Sequence, residues 1–232
     1  MIERVKSGIG GFDNLIQGGF VPNSINLISG GTGTGKTIFC LQYLFNGAKE
    51  YNEKGIYISF EEQEQDLKDD VSGLGLSFDK LDNKIKFMYM PAYGISNFIP
   101  LMKLEIETFK AKRVVIDSVT ALAMPMEDEI ERRKQIFRVR ETLKSLNCTA
   151  LLTSEVLSES AMGSEALSTF SRFGIEEFFC DGVIVLHYAG IGGESDRAIR
   201  VVKMRRTDHI RGPVPMKIGN LGIKVLKPKY NY

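Results

Sequence analysis

Gly30-Gly31-Thr32-Gly33-Thr34-Gly35-Lys36-Thr37 follows an apolar run at 24–29 and opens a segment, 37–49, whose Phe39, Leu44 and Phe45 can face a sheet. The pattern G-x-x-x-x-G-K-[ST] between a strand and a helix is that of a phosphate-binding loop. The residue types follow from the chemistry. Glycines let the loop turn its N–H groups inward around an anion. The helix that follows adds its positive N-terminal end. Lys36 is placed to reach the β- and γ-phosphates, and the Thr37 hydroxyl can ligate Mg²⁺.

Working outward, short apolar runs alternate with amphipathic stretches, as in an α/β fold. Strands are expected at 55–60, 85–90, 113–117 and 148–153, with helices at 63–71, 100–109 and 127–146. Gly73 and Gly75 end the first of these helices. Ile136, Val139, Leu143 and Leu146 give the last one a core face. Beyond it, 182–188, 198–206, 214–218 and 223–226 are short strands punctuated by Gly and Pro. They are expected as antiparallel strands added to a mainly parallel sheet flanked by helices. With no linker in view, 1–232 is expected to be one domain. Residues 1–23 form a lead-in and 197–232 a basic tail.

Two further strand ends carry acids. Arg113-Val114-Val115-Ile116-Asp117 places a carboxylate after a buried run, where burying it is costly unless a cation lies beside it. Asp117 is therefore the expected partner of Thr37 at a Mg²⁺ site. Ile56-Tyr57-Ile58-Ser59-Phe60 ends in Glu61 and Glu62. In a parallel sheet the carboxyl ends of the strands line the ligand crevice. One of the two acids can deprotonate a water attacking the γ-phosphate. Alternation along a strand argues against a shared role. The competing reading is two acids favouring a helix N-terminus.

Composition removes other classes. Hydrophobic residues are 43% and charged residues 25%, ordinary for a globular protein. The net charge of +1 excludes a polybasic protein held to nucleic acid by bulk charge. It conceals a split. Residues 197–232 hold ten Lys/Arg against Asp208 alone, a net +9, which leaves −8 on the rest. Cys40, Cys148 and Cys180 are widely spaced and odd in number, which argues against a disulfide framework or zinc site and for a reducing compartment, the cytoplasm. His187 and His209 are too few for a multi-histidine metal centre. No run approaches a membrane span and no secretory signal is evident, so no membrane partner is expected.

Together these residues resemble a known family. Lys6-Ser7-Gly8-Ile9, Gly11-Phe12-Asp13 and Gly18-Gly19 are similar to the lead-in of RecA-superfamily ATPases. The paired glutamates, RVVIDSVT at 113–120, FGIEEF at 173–178 and VVKMRRTDH at 201–209 resemble the KaiC branch, in a short, archaeal-type form with one RecA-like ATPase domain. The resemblance implies ATP and Mg²⁺, a homo-oligomeric ring, of six copies in the family's pattern, and nucleotide at the subunit interface. It implies Glu61 as catalytic base. It also implies Lys203 and Arg205 as cations lent to the neighbour's γ-phosphate. Two residues apart on a strand, these would share a face. His209 follows them and is expected near the shared ATP, and Ser154, at a strand end, near the γ-phosphate. Where the clock protein's second domain carries an autophosphorylated Ser-Thr pair, this chain has Glu177 and Phe178. Autokinase activity is therefore not implied. Asn220 stands where the family often has an Asp near the nucleotide.

Two rival readings remain. A RecA/RadA-like DNA-binding ATPase would use an axial loop, here 156–172, whose charges are Glu159, Glu165 and Arg172. A loop that neutralises phosphates should be basic, so nucleic acid is not favoured. An ATP-dependent scaffold or switch, with an unidentified protein partner, would share the same loop.

Overall fold

The computed structural model describes residues 3–91, 97–156, 169–190, 192 and 196–226. In chain order they form α1 (Phe12–Leu15), β1 (Ile25–Gly30), α2 (Lys36–Glu50), β2 (Gly55–Ser59), α3 (Glu64–Ser72), β3 (Ile85–Tyr89) and α4 (Phe98–Phe109). There follow β4 (Arg113–Asp117), α5 (Val119–Ala123), α6 (Glu129–Ser145), β5 (Thr149–Glu155), α7 (Glu176–Phe179), β6 (Gly182–Tyr188), β7 (Arg197–Met204), β8 (Pro213–Gly219) and β9 (Gly222–Val225).

Among the described residues the strands join one sheet in the order β3-β2-β4-β5-β1-β6-β7-β8-β9. Pairing is parallel from β3 to β6 and antiparallel from β6 to β9. The central strands β1, β2 and β4 are buried at every residue, the pattern of strands covered on both faces. The sheet thus separates two cores. On one face α2 packs with the lead-in, α3 and the β8–β9 hairpin, around Phe12, Phe20, Phe39 and Tyr43. On the other lie α4, α5 and α6, over Phe98, Met102, Val139 and Leu143.

The lead-in is fixed by one carboxylate. Asp13 accepts the N–H groups of Ser7 at 3.0 Å and Gly8 at 3.3 Å. Asn46 of α2 donates to the Ser7 carbonyl at 3.3 Å. Gly8 has φ +70°, and a Cβ there would lie 2.6 Å from that of Asn46. Residues 7–9 therefore lie directly on α2 and brace the helix that begins at the phosphate loop.

Gly47 gives a test of packing at the other end of α2. A glycine inside a helix usually costs about 0.5–1 kcal/mol relative to alanine. Here a Cβ would lie 2.4 Å from Arg113 Nε. Arg113 is 1% exposed, pairs with Glu53 at 2.6 Å through both Nε and Nη2, and lies over the Tyr43 ring at 4.5 Å. Gly47→Ala should therefore destabilise by about 2–3 kcal/mol, since it displaces the buried Arg113 side chain from its packing and from its half-buried partner Glu53. Thermal melting should show a Tm lower by roughly 5–10 °C. A raised Tm would show that Arg113 can move aside.

The strand expectations were corrected in one place that matters. The strand expected at 198–206 ends at Met204, with a register shift opposite Val183 and Ile184 that places Val202 outside the ladder. Arg205 therefore follows the strand, its N–H donating to the Asp181 carbonyl at 2.9 Å.

Candidate active site

The phosphate loop joins β1 to α2 and is shaped by its glycines. Gly30, Gly33 and Gly35 have φ of 156°, 74° and 100°. A Cβ on Gly30 would lie 2.4 Å from the Leu186 carbonyl, and one on Gly35 would lie 2.8 Å from Ile218 Cδ1. These two glycines are required by close approach. At Gly31 and Gly33, by contrast, a Cβ would meet nothing within 4 Å. Gly35 caps α2 without a side-chain hydrogen bond, so the first N–H groups of that helix remain available to an anion. Thr34 Oγ1 donates to the Gly31 carbonyl at 2.9 Å. Lys36 Nζ donates to the Gly30 and Gly31 carbonyls at 3.1 and 3.0 Å, which holds its charge across the loop. Thr32 lies at the exposed turn of the loop.

Thr37, in the first turn of α2, donates to Asp117 Oδ2 at 3.0 Å. Tyr57 and Thr153 also donate to the Asp117 carboxylate. Burial, followed by the Asp117 charge, pushes the Tyr57 phenol well above its ordinary pKa, so it remains a donor. A hydroxyl and a carboxylate converging at a phosphate loop are hard oxygen donors of the kind Mg²⁺ takes beside phosphates. The residues present fit that ion.

Glu61 and Glu62 follow β2, and both N–H groups donate to Ser59 Oγ, at 3.3 and 2.9 Å. Their surroundings separate them. Partial desolvation, then Asp117 and Glu155, raises the Glu61 carboxyl above the ordinary glutamate range, against the pull of Lys36. Desolvation, then Asp117, Asp70, Glu61 and Asp66, raises Glu62. Glu61 thus feels the loop's lysine and Glu62 the acids of α3. A raised carboxylate pKa suits a general base.

Lys203 and Arg205 come together, but not at this loop. Lys203 Nζ donates to the carbonyls of Glu177 at 3.1 Å and Cys180 at 2.7 Å. Arg205 pairs with Asp181 at 3.6 Å. Desolvation, followed by Arg205, lowers the Lys203 pKa. In the ladder Lys203 is opposite Val183, which pairs with Leu27, three residues before Gly30. That is about 10 Å along the strand from the start of the loop. His209 is half-buried, its Nδ1 at 3.1 Å from the Ile210 carbonyl, on a segment docked to Leu15 and Gln17.

Ser154, expected near the γ-phosphate, is fully buried and turned to the opposite side of β5 from Thr153. Its hydroxyl donates to Glu176 Oε1 at 3.1 Å. Within 156–172, only 156 and 169–172 lie among the described residues.

Sequence reasoning missed Arg197. Its guanidinium donates to the Gly33 carbonyl and lies over the Tyr188 ring at 3.9 Å. The signal was a basic residue opposite Tyr188, but it becomes legible only once β6 is known to lie beside β1.

A family model described as the ATPase KaiC matches residues 5–230. The chain belongs to the KaiC ATPase family. Among curated relatives of this KaiC-family domain, the circadian clock oscillator protein KaiC of Nostoc sp. is 33% identical over 97% of the chain and 44% of that protein. The protein of the same name from Synechococcus elongatus is 30% identical over 97% and 44%. The domain thus spans less than half the length of these relatives. The crystal structure of a KaiC-like protein from Pyrococcus horikoshii superposes with a TM-score of 0.85 at 36% identity, covering 98% of this chain and all of that one. The KaiC-family domain therefore has the RecA-like fold expected from its sequence. Among the described residues no helix is long and apolar enough to cross a membrane.

Proposed function

We propose that this KaiC-family domain is a Mg²⁺-dependent ATPase whose nucleotide is shared between copies in a homo-oligomeric ring of six, with a regulatory role. The observation that carries this reading is the separation of its parts. Gly30–Thr37 and Glu61 gather at the carboxyl end of the sheet. Lys203 and Arg205 lie toward the opposite end, fastened to the segment 177–181. Within one chain the two cations cannot complete the site. A second copy, set head to tail, can supply them.

The loop N–H groups and Lys36 bind the β- and γ-phosphates. Thr37 and Asp117 would hold Mg²⁺, which when bound offsets phosphate charge. Glu61 accepts the proton of a water as its oxygen bonds to the γ-phosphorus. The bond from that phosphorus to the β-phosphate oxygen breaks, and ADP carries away the electron pair. Lys203 and Arg205 of the adjacent copy stabilise the charge that develops. The opposed charges of the two parts, −8 and +9, favour such head-to-tail contact.

Phosphate release from ATP with Mg²⁺ tests the reading, and a purified chain that releases none contradicts it. Arg197→Ala should raise KM for ATP by about 3–10-fold, the value of a partly exposed charge-assisted bond to the loop. Its kcat should change less, and an unaltered KM would leave Arg197 outside the nucleotide site.

A further inference from the structure

A line of hydrogen bonds crosses the molecule beneath the proposed site. The Glu155 N–H donates to Thr120 Oγ1 at 3.2 Å. Thr120 and Ser154 hydroxyls are 3.1 Å apart, and Ser154 donates to Glu176 Oε1 at 3.1 Å. Glu155 pairs in the sheet with Gly30, the first residue of the phosphate loop. The other oxygen of Glu176 accepts the Ile175 N–H at 3.1 Å. Ser154 Oγ also accepts the Arg172 N–H at 3.2 Å. Glu176 is fully buried. A buried carboxylate is costly unless its partners hold it, so its retention at the start of α7 calls for a structural reason.

That reason lies in the next residues. Lys203 is held by the carbonyls of Glu177 and Cys180, the second residue of α7 and the residue that follows it. Glu176 anchors this short helix to β5, and the helix clamps the ammonium. We infer that Glu176, oriented by Ser154, is a positioning residue that fixes the direction in which Lys203 is presented to the neighbouring copy. This rests on the proposal that Lys203 serves an adjacent subunit.

Glu176→Gln preserves volume but adds a donor where Ser154 and the Ile175 N–H both donate. The arrangement must then reverse or loosen. The effect of losing such an orienting contact is about 10–100-fold in rate. The expected result is a fall of that size in kcat with KM for ATP little changed, because the chain's own loop is intact. A merely structural defect would not be cured by another subunit, and a misdirected Lys203 would. Subunits carrying Glu61→Gln retain their cations but lack the base. Co-expressed at equal levels with Glu176→Gln subunits, they should restore about one quarter of the wild-type rate, the chance of the productive neighbour pair in a random ring.

Lys203→Ala, mixed in the same way, is the reference. If Lys203→Ala is rescued and Glu176→Gln is unaffected alone, or not rescued, this inference fails while the shared site stands. If Lys203→Ala itself is not rescued, the shared site fails and this inference with it. Should Glu176→Gln not fold, Ser154→Ala removes the same hydrogen bond without adding a donor. It must then show the same loss and the same rescue, and wild-type behaviour would overturn the assignment.

Discussion

Replacing Lys203 and Arg205 together by alanine lowers ATP turnover by about 10³-fold or more, the scale of cationic groups supplied in trans to a transferring phosphoryl group. The loss should fall on kcat, since in the proposed site the loop, Lys36 and the first turn of α2 hold the nucleotide within the same chain. Stability should change little by comparison. Arg205 is 54% exposed in its pair with Asp181, and exposed pairs contribute less than about 1 kcal/mol. Single variants separate the two cations. Arg205→Ala frees one side of Asp181, which Lys144 still holds. Burial alone would raise the Asp181 carboxyl, but the hydrogen bonds from Lys144 and the Ile25 N–H and the charges of Lys144 and Arg205 keep it below its ordinary value. Its contribution to stability is thus present above the ordinary aspartate range and lost as pH falls through the lowered pKa. A double variant that turns over ATP at the wild-type rate would remove the shared site.

Glu61→Gln has the second large effect. Loss of a general base costs about 10²–10⁴-fold, and ATP binding should persist because no loop contact is touched. As the proposed base, the same carboxylate should set the acid limb of the pH profile. Its pKa is raised in the free chain by desolvation, then by Asp117 and Glu155. Activity should therefore fall as pH drops through that raised value, where the base becomes protonated. Removing the charge of Glu155, as Glu155→Gln, should move the limb to lower pH. Stability runs the opposite way. The folded chain binds this proton more tightly than the unfolded one, so Glu61 costs stability as pH rises. An acid limb that ignores Glu155→Gln, or full activity in Glu61→Gln, assigns the base elsewhere.

The fold was legible where periodicity and punctuation agree. The strands at Arg113–Asp117 and Gly182–Tyr188 begin and end where the apolar runs do. Helix α4 starts at Phe98 rather than 100, because Pro100 is tolerated in a helix's first turn. Strand β5 runs on to Glu155, since pairing with Gly30 extends it beyond its apolar core. Helices α1, α5 and α7 are too short to show a period. The convergence of Thr37 and Asp117 beside the loop was readable because each lies in a local motif at the end of a strand. The hydrogen bonds of Ser154 were not legible because its partners, Thr120 and Glu176, are 34 and 22 residues away. Only the order of strands brings them together. Arg197 was missed for the same reason.

Mass in solution, measured with and without ATP and Mg²⁺ beside the rate of phosphate release per chain, bears most directly on the shared site. Expected is a multi-copy assembly with nucleotide, and a rate per chain that falls as dilution separates the copies. A monomer that hydrolyses ATP at an undiminished rate would contradict it.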